Sequence, residues 1–221
     1  MAVEPALLLP PSLVMIAGAL AAPALRGSAR QLLLLLLPVA ALIVIWSVPD
    51  GRVWSLEFLD YTLTPWQVTP IGKLFATVFA VMAAAGTLYG LKQARPVELV
   101  SAQIYAGSAI GVCFSGDLVT LFVYWEIMAL ASTVVIWSNG SERAYRASLR
   151  YVLMHLFGGV LLMAGIAGHA AASGSISFGP LALDRLAHWL ILAGFLLNAG
   201  APPLSRAGES HSSIHAWARS E

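Results

Sequence analysis

Charge is scarce in this sequence: of 221 residues only 10% are Asp, Glu, Lys or Arg, against about 25% in an ordinary soluble domain. With 59% of the chain hydrophobic, there is too little polar surface to keep a soluble fold wetted. Acidic and basic residues nearly cancel, leaving a formal charge of +1, which excludes a basic footprint for nucleic acid. The single cysteine, Cys113, excludes an intrachain disulfide and a multi-cysteine cluster held by this chain alone. Histidines and glutamates show no metal-ligand spacing. Nucleotide-binding loops and nucleophile elbows are missing too. No metal, no cofactor and no catalytic role is therefore expected of this chain by itself. Basic residues are also lacking before the first apolar run, where Glu4 is the only charged side chain. A cleaved signal peptide wants them there, so this run reads as a retained span.

What the chain does have is apolar length. Crossing a hydrocarbon core of about 30 Å takes about 20 apolar residues in a helix, because unpaired backbone amides are intolerable in lipid. Residues 6–25, 31–48, 71–91, 97–115, 118–137, 147–169 and 181–201 meet or approach that length. The expected fold is all-α, a polytopic transmembrane bundle of about seven spans over residues 1–204, the seventh a broken helix. Pro10, Pro11 and Pro23 fall within or at the end of the first span and are expected to disturb it. Residues 49–70 form the longest connector. Its run Val53-Trp54-Ser55-Leu56-Glu57-Phe58 alternates weakly and predicts an interfacial strand or hairpin, with Trp54 and Trp66 at headgroup level. Residues 205–221 are polar, lack a helical stripe, and read as a poorly ordered tail.

Loop charge sets orientation. Arg26, Arg30, Lys92, Arg95, Arg143, Arg146 and Arg150 all fall in or beside alternate connectors. The opposite connectors and first turns carry Arg52, Lys73 and Arg185 among Asp50, Glu57, Asp60, Asp117 and Asp184. The positive-inside rule then puts the basic connectors in the cytoplasm and the amino terminus outside, as in a multi-pass protein of the bacterial inner membrane.

Three residues within the apolar segments invite a chemical reading. Glu126 lies about 12 Å along the fifth span, near the bilayer midplane. A central carboxyl costs about 2.5 to 3.5 kcal/mol on insertion scales, so it marks a bundle interior or a hydrated path. Its proton affinity depends on burial and on nearby charge, which is what proton carriage needs. The plainer alternative is a protonated glutamate fastening helices. His155, central in the sixth span near Gly158 and Gly159, suits a relay with Glu126; a neutral interhelical hydrogen bond serves equally well. His169 and His188 fall near span ends, where wetted histidines are ordinary. Asn198 opens a run through Gly200, Pro202 and Pro203 that should break the helix and free carbonyls, either as an ion site or as a simple helix end.

Residues 116–132, with the core Tyr124-Trp125-Glu126-Ile127-Met128, resemble the fifth helix of the antiporter-like subunits shared by respiratory complex I and Mrp-type cation/proton antiporters. Residues 146–169, containing Tyr151-Val152-Leu153-Met154-His155-Leu156-Phe157-Gly158-Gly159, resemble the next helix, nearest the D-subunit branch. Residues 198–204 resemble the break in the seventh. The resemblance implies a helical subunit partnered by other membrane subunits, moving protons or sodium through paired charges at the midplane. Glu126 matches the family's fifth-helix glutamate, whereas Asn198 stands where the family often has a lysine, and His155 is the candidate substitute. Family members continue into a second inverted repeat; here the polar tail follows Leu204, which reads either as a truncated or frame-shifted continuation or as the end of a genuine short protein. Two further readings stand beside transport: a structural or assembly subunit without ion flux, and a quinone-reactive membrane enzyme. Any share in NADH–quinone oxidoreductase chemistry would come through partner subunits.

Overall fold

Proline sets where several helices begin. The computed structural model describes residues 9–51 and 53–200. In it α1 (Pro11–Ala21), α3 (Pro70–Gly90) and α4 (Pro96–Phe114) each start on a proline. That first position needs no amide donor and favours proline's fixed φ. Pro10 and Pro11 thus open the first helix instead of bending it, and Pro23 lies in the short 3₁₀ turn Ala22–Ala24 that ends it. The start expected at residue 6 lies outside the described residues. Pro38 alone among the described residues sits deep inside a helix, in α2 (Gly27–Ser47).

The remaining helices are α5 (Leu118–Ser138), α6 (Glu142–Ser173) and α7 (Leu186–Asn198). Helices α2 to α6, five among the described residues, are long and apolar enough to cross a membrane, while α1 and α7 are apolar but shorter. The all-α multi-pass fold is as the sequence implies, with two boundary corrections. Helix α6, expected over residues 147–169, runs for 32 residues, about 48 Å at 1.5 Å per residue. Ser141 caps its start by accepting from the Ala144 amide, Glu142 pairs with Arg146 at 3.0 Å, and Gly174 closes it at φ 70°. These contacts keep its polar first turns helical. Helix α7, expected from residue 181, begins at Leu186, because Leu183 takes a left-handed φ of 55° and breaks the approach. The anticipated break beyond Asn198 coincides with the helix end, followed by Gly200 at φ 65°. Pro202, Pro203 and the tail 205–221 lie outside the described residues.

Successive helices run up and down, which gathers their connectors into two ends. At one end, Gln31 donates to the Leu91 carbonyl and Arg95 to the Ser138 carbonyl. The three connectors with the basic clusters therefore meet. At the other end stands a hairpin, β1 (Val53–Phe58) with β2 (Tyr61–Gln67), turned by Leu59 and Asp60 in left-handed conformations. Trp54 pairs with Trp66 across it. Trp54 is exposed, but Trp66 is 1% exposed and packs with Val48, Val68 and Phe114. Of the two, Trp54 alone is left at the surface, and Trp66 anchors the hairpin on the helices.

Two polar residues fasten this end. Lys73 is buried, pairs with Asp50 at 2.7 Å and donates to the Val48 carbonyl. Asp117, 1% exposed, caps α5 by accepting from the Thr120 amide and hydroxyl at 2.7 and 2.6 Å, and from the Thr64 amide of β2 at 2.6 Å. Deleting that carboxylate removes a cap and strands buried donors, so Asp117→Ala should destabilise the chain by about 2 kcal/mol. A thermal unfolding midpoint in detergent equal to that of the parent would contradict this.

Candidate functional site

The three sequence candidates come from three helices that meet at one depth. Helices α5 and α6 are antiparallel. The Ser132 and Tyr151 hydroxyls share a 2.8 Å hydrogen bond, and the Leu118 amide reaches the Ile176 carbonyl at 3.0 Å. Midway between those contacts, Glu126 faces Gly159. A side chain at Gly159 would place its Cβ 2.6 Å from Glu126 Oε1, so the glycine is the seat of the carboxyl group. On the other flank, a Cβ at Gly158 would overlap the Asn198 side-chain oxygen. Asn198, the last residue of α7, is thus lodged against the glycine next to the one that seats Glu126. Consecutive glycines on α6 hold the glutamate and the asparagine at the same level. From sequence alone these glycines signify only close helix approach.

His155 lies one turn nearer the basic end of α6. It is buried and stacks on Tyr151, with ring centroids 5.6 Å apart and planes at 27°. Trp125, which the sequence offers only as part of a motif, reaches α7 and meets Phe195 edge to face at 5.4 Å.

These groups are short of protein partners. Trp125 Nε1, Glu126 Oε1, His155 Nε2 and both polar atoms of the Asn198 amide are buried with no hydrogen bond among the described residues. A stranded buried polar group typically costs about 1–3 kcal/mol, so each of these atoms is under pressure to find a partner. Chemically, the layer combines a carboxyl that can bind and release a proton, an imidazole that can pass one on, and an amide that can accept or donate. Among the described residues there is no lysine in the layer. Lys73, buried at the hairpin end, is committed to Asp50 and the Val48 carbonyl. Toward the hairpin the layer is closed by Leu118, Leu162, Ile166 and Ile191, all nearly fully buried.

Fold and site together define a polytopic helical membrane protein with a titratable carboxyl seated between helices near mid-depth. Residues 115–206 match the family described as NADH:quinone oxidoreductase/Mrp antiporter, transmembrane, so this part of the chain is similar to the antiporter-like membrane subunits. It is 27% identical over 128 residues to the D-type subunit of the Na⁺/H⁺ antiporter of Alkalihalophilus pseudofirmus, covering 54% of this chain and 26% of that protein. It is 30% identical over 139 residues to a putative antiporter subunit of Staphylococcus aureus, covering 62% and 26%. Its fold superposes on a chain of the Mrp complex from Dietzia sp. DQ12-45-1b with a TM-score of 0.71 and 18% identity, covering 86% of this chain and 23% of that one. The chain spans about a quarter of the length of the curated relatives it matches.

Proposed function

We propose that this chain is an ion-translocating subunit of a multi-subunit Mrp-type or complex I-like membrane assembly, with Glu126 as its reversible proton site. The observation that carries this reading is the seating of Glu126 Oε1 on Gly159, buried and without a protein hydrogen bond among the described residues. A carboxyl fastening two helices would be expected to hold a donor on the facing helix; this one faces a bare glycine. His155 and Asn198 are its polar companions at neighbouring depth. The relative named as part of a Na⁺/H⁺ antiporter supports pairing of proton movement with a monovalent cation.

The test is a pH-sensitive dye trapped in vesicles that carry the assembly purified with this chain. Adding Na⁺ or K⁺ should move protons, and the active cation identifies the coupled ion. A stable assembly that moves no protons under any cation or redox drive would leave the structural-subunit reading in its place.

The same proposal puts the basic end in the cytoplasm of a bacterial cell and the hairpin outside, on the strength of the gathered Arg and Lys residues. In a Cys113→Ala background, a membrane-impermeant thiol reagent added to intact cells should label Asp60→Cys and spare Lys92→Cys. The reverse pattern would invert the orientation.

A further inference from the structure

The two histidines near span ends, ordinary wetted residues by sequence, form a chain of titratable groups at the hairpin end of the α6–α7 seam. His169 Nδ1 lies 3.2 Å from His188 Nε2, with ring centroids 5.3 Å apart. The other nitrogen of His188, Nδ1, lies 3.1 Å from the Asp184 carboxylate, close enough for charge pairing though not aligned as a hydrogen bond. His188 is 7% exposed, whereas the Asp184 side chain is 60% exposed. One terminus of the chain is therefore at the surface of the protein and the middle is inside it. Close backbone contact fixes the two rings: a Cβ on Gly165 would meet the Ala187 carbonyl at 2.8 Å, and one on Gly168 would meet the Ala187 Cβ at 3.1 Å.

This geometry orders the protons. The Asp184 carboxylate favours N–H at His188 Nδ1, which leaves His188 Nε2 as an acceptor and requires His169 Nδ1 to donate. His169 Nε2 then carries the free lone pair. We propose that Asp184, His188 and His169 form a proton-exchange site at the hairpin-side mouth of the α6–α7 seam, linking water to the protein interior. This assignment rests on the transport reading of the chain.

A proton taken up at His169 Nε2 forms an N–H bond there while the Nδ1 proton shifts to His188 Nε2. The cation then sits on His188 against Asp184. Loss of the His188 Nδ1 proton to Asp184, and from Asp184 to water, completes the passage. It leaves both rings in the opposite tautomer, which passage in the reverse direction restores. Only one proton can be held between the rings, because two imidazolium N–H groups cannot face each other at 3.2 Å. Asp184 is the charged group in contact with the pair: Arg185 is exposed beside it, and Asp117 at the head of α5 is committed to Thr64 and Thr120. Between this mouth and Glu126 stand Leu162, Ile166 and Ile191, so proton passage between them requires that apolar layer to wet transiently.

Solid-state ¹⁵N NMR of the full chain, labelled at histidine and held in lipid bilayers, tests the site directly. The expected result is a resolved coupling between His169 Nδ1 and His188 Nε2, with one proton taken up by the pair where two independent histidines would take two. Independent titration of the two rings would overturn the proposal. His188→Gln keeps a hydrogen-bonding side chain but cannot carry the proton, and should slow proton movement by the assembly about tenfold; an unchanged rate also overturns it. Glu126→Gln should leave the coupling intact, so failure of the glutamate's role and failure of the histidine pair register in different measurements.

Discussion

Replacing Glu126 with glutamine is expected to abolish cation-driven proton movement in vesicles carrying the assembly, a fall of at least about tenfold to the level of empty vesicles, while the assembly still copurifies. Glutamine matches the glutamate in shape and fits the same seat against Gly159, but its amide has no proton to give up in this range. Membrane insertion of an amide is no harder than that of a carboxyl, so stability should hold or rise. Glu126→Asp keeps the carboxyl yet withdraws it from α6 by one methylene, and an intermediate rate is expected from it. Together the two variants separate chemistry from packing. If Glu126 only fastened helices, glutamine would serve as well as glutamate and both variants would differ from the parent in stability alone. Unchanged transport in Glu126→Gln would remove the residue from the mechanism.

The membrane fold was legible because the signals that encode it are one-dimensional. Runs of apolar length and the alternation of Arg and Lys between connectors need no partner to be read. Glu126 was legible for the same reason: a carboxyl in such a run is conspicuous wherever it points. What stayed hidden depends on register between helices. Nothing in the sequence says that Gly159, and not Gly158, lies opposite Glu126, or that Asn198 ends α7 at that level. His169 and His188 are 19 positions apart, and their meeting is set by where Leu183 turns the chain into α7. The burial of Trp66 is not legible because aromatic character suits an interface and a core equally well; it follows from the hairpin folding back over Val48 and Phe114. The length of α6 was missed because caps and i,i+4 pairs, not hydropathy, carry the helix past the apolar stretch.

The α6–α7 contact offers the second large effect, because its glycines fall into two kinds. A Cβ on Gly194 would lie 2.7 Å from the Leu162 amide nitrogen and 2.8 Å from the Gly158 carbonyl, and one on Gly165 would lie 2.6 Å from the Ile191 nitrogen. Those are backbone atoms of the facing helix and cannot step aside without moving the helix. Gly194→Ala is therefore expected to cost about 3 kcal/mol, near the upper end for overpacking, and Gly165→Ala about as much. Because both act by separating the same two helices, the double variant should fail to hold α7 in place, and limited proteolysis should cut the 174–185 connector far faster than in the parent. Gly159→Ala provides the contrast. Its Cβ meets the tip of Glu126, a flexible side chain that can swing away, so stability should change by less than about 1 kcal/mol. Proton movement should nonetheless fall severalfold, since the carboxyl is pushed from its seat. Gly194→Ala with a parental unfolding midpoint would show that α7 is not held by close backbone packing. Gly159→Ala with parental transport would show that the glycine seat is dispensable, and Glu126 would then need no fixed place opposite α6 to carry its proton.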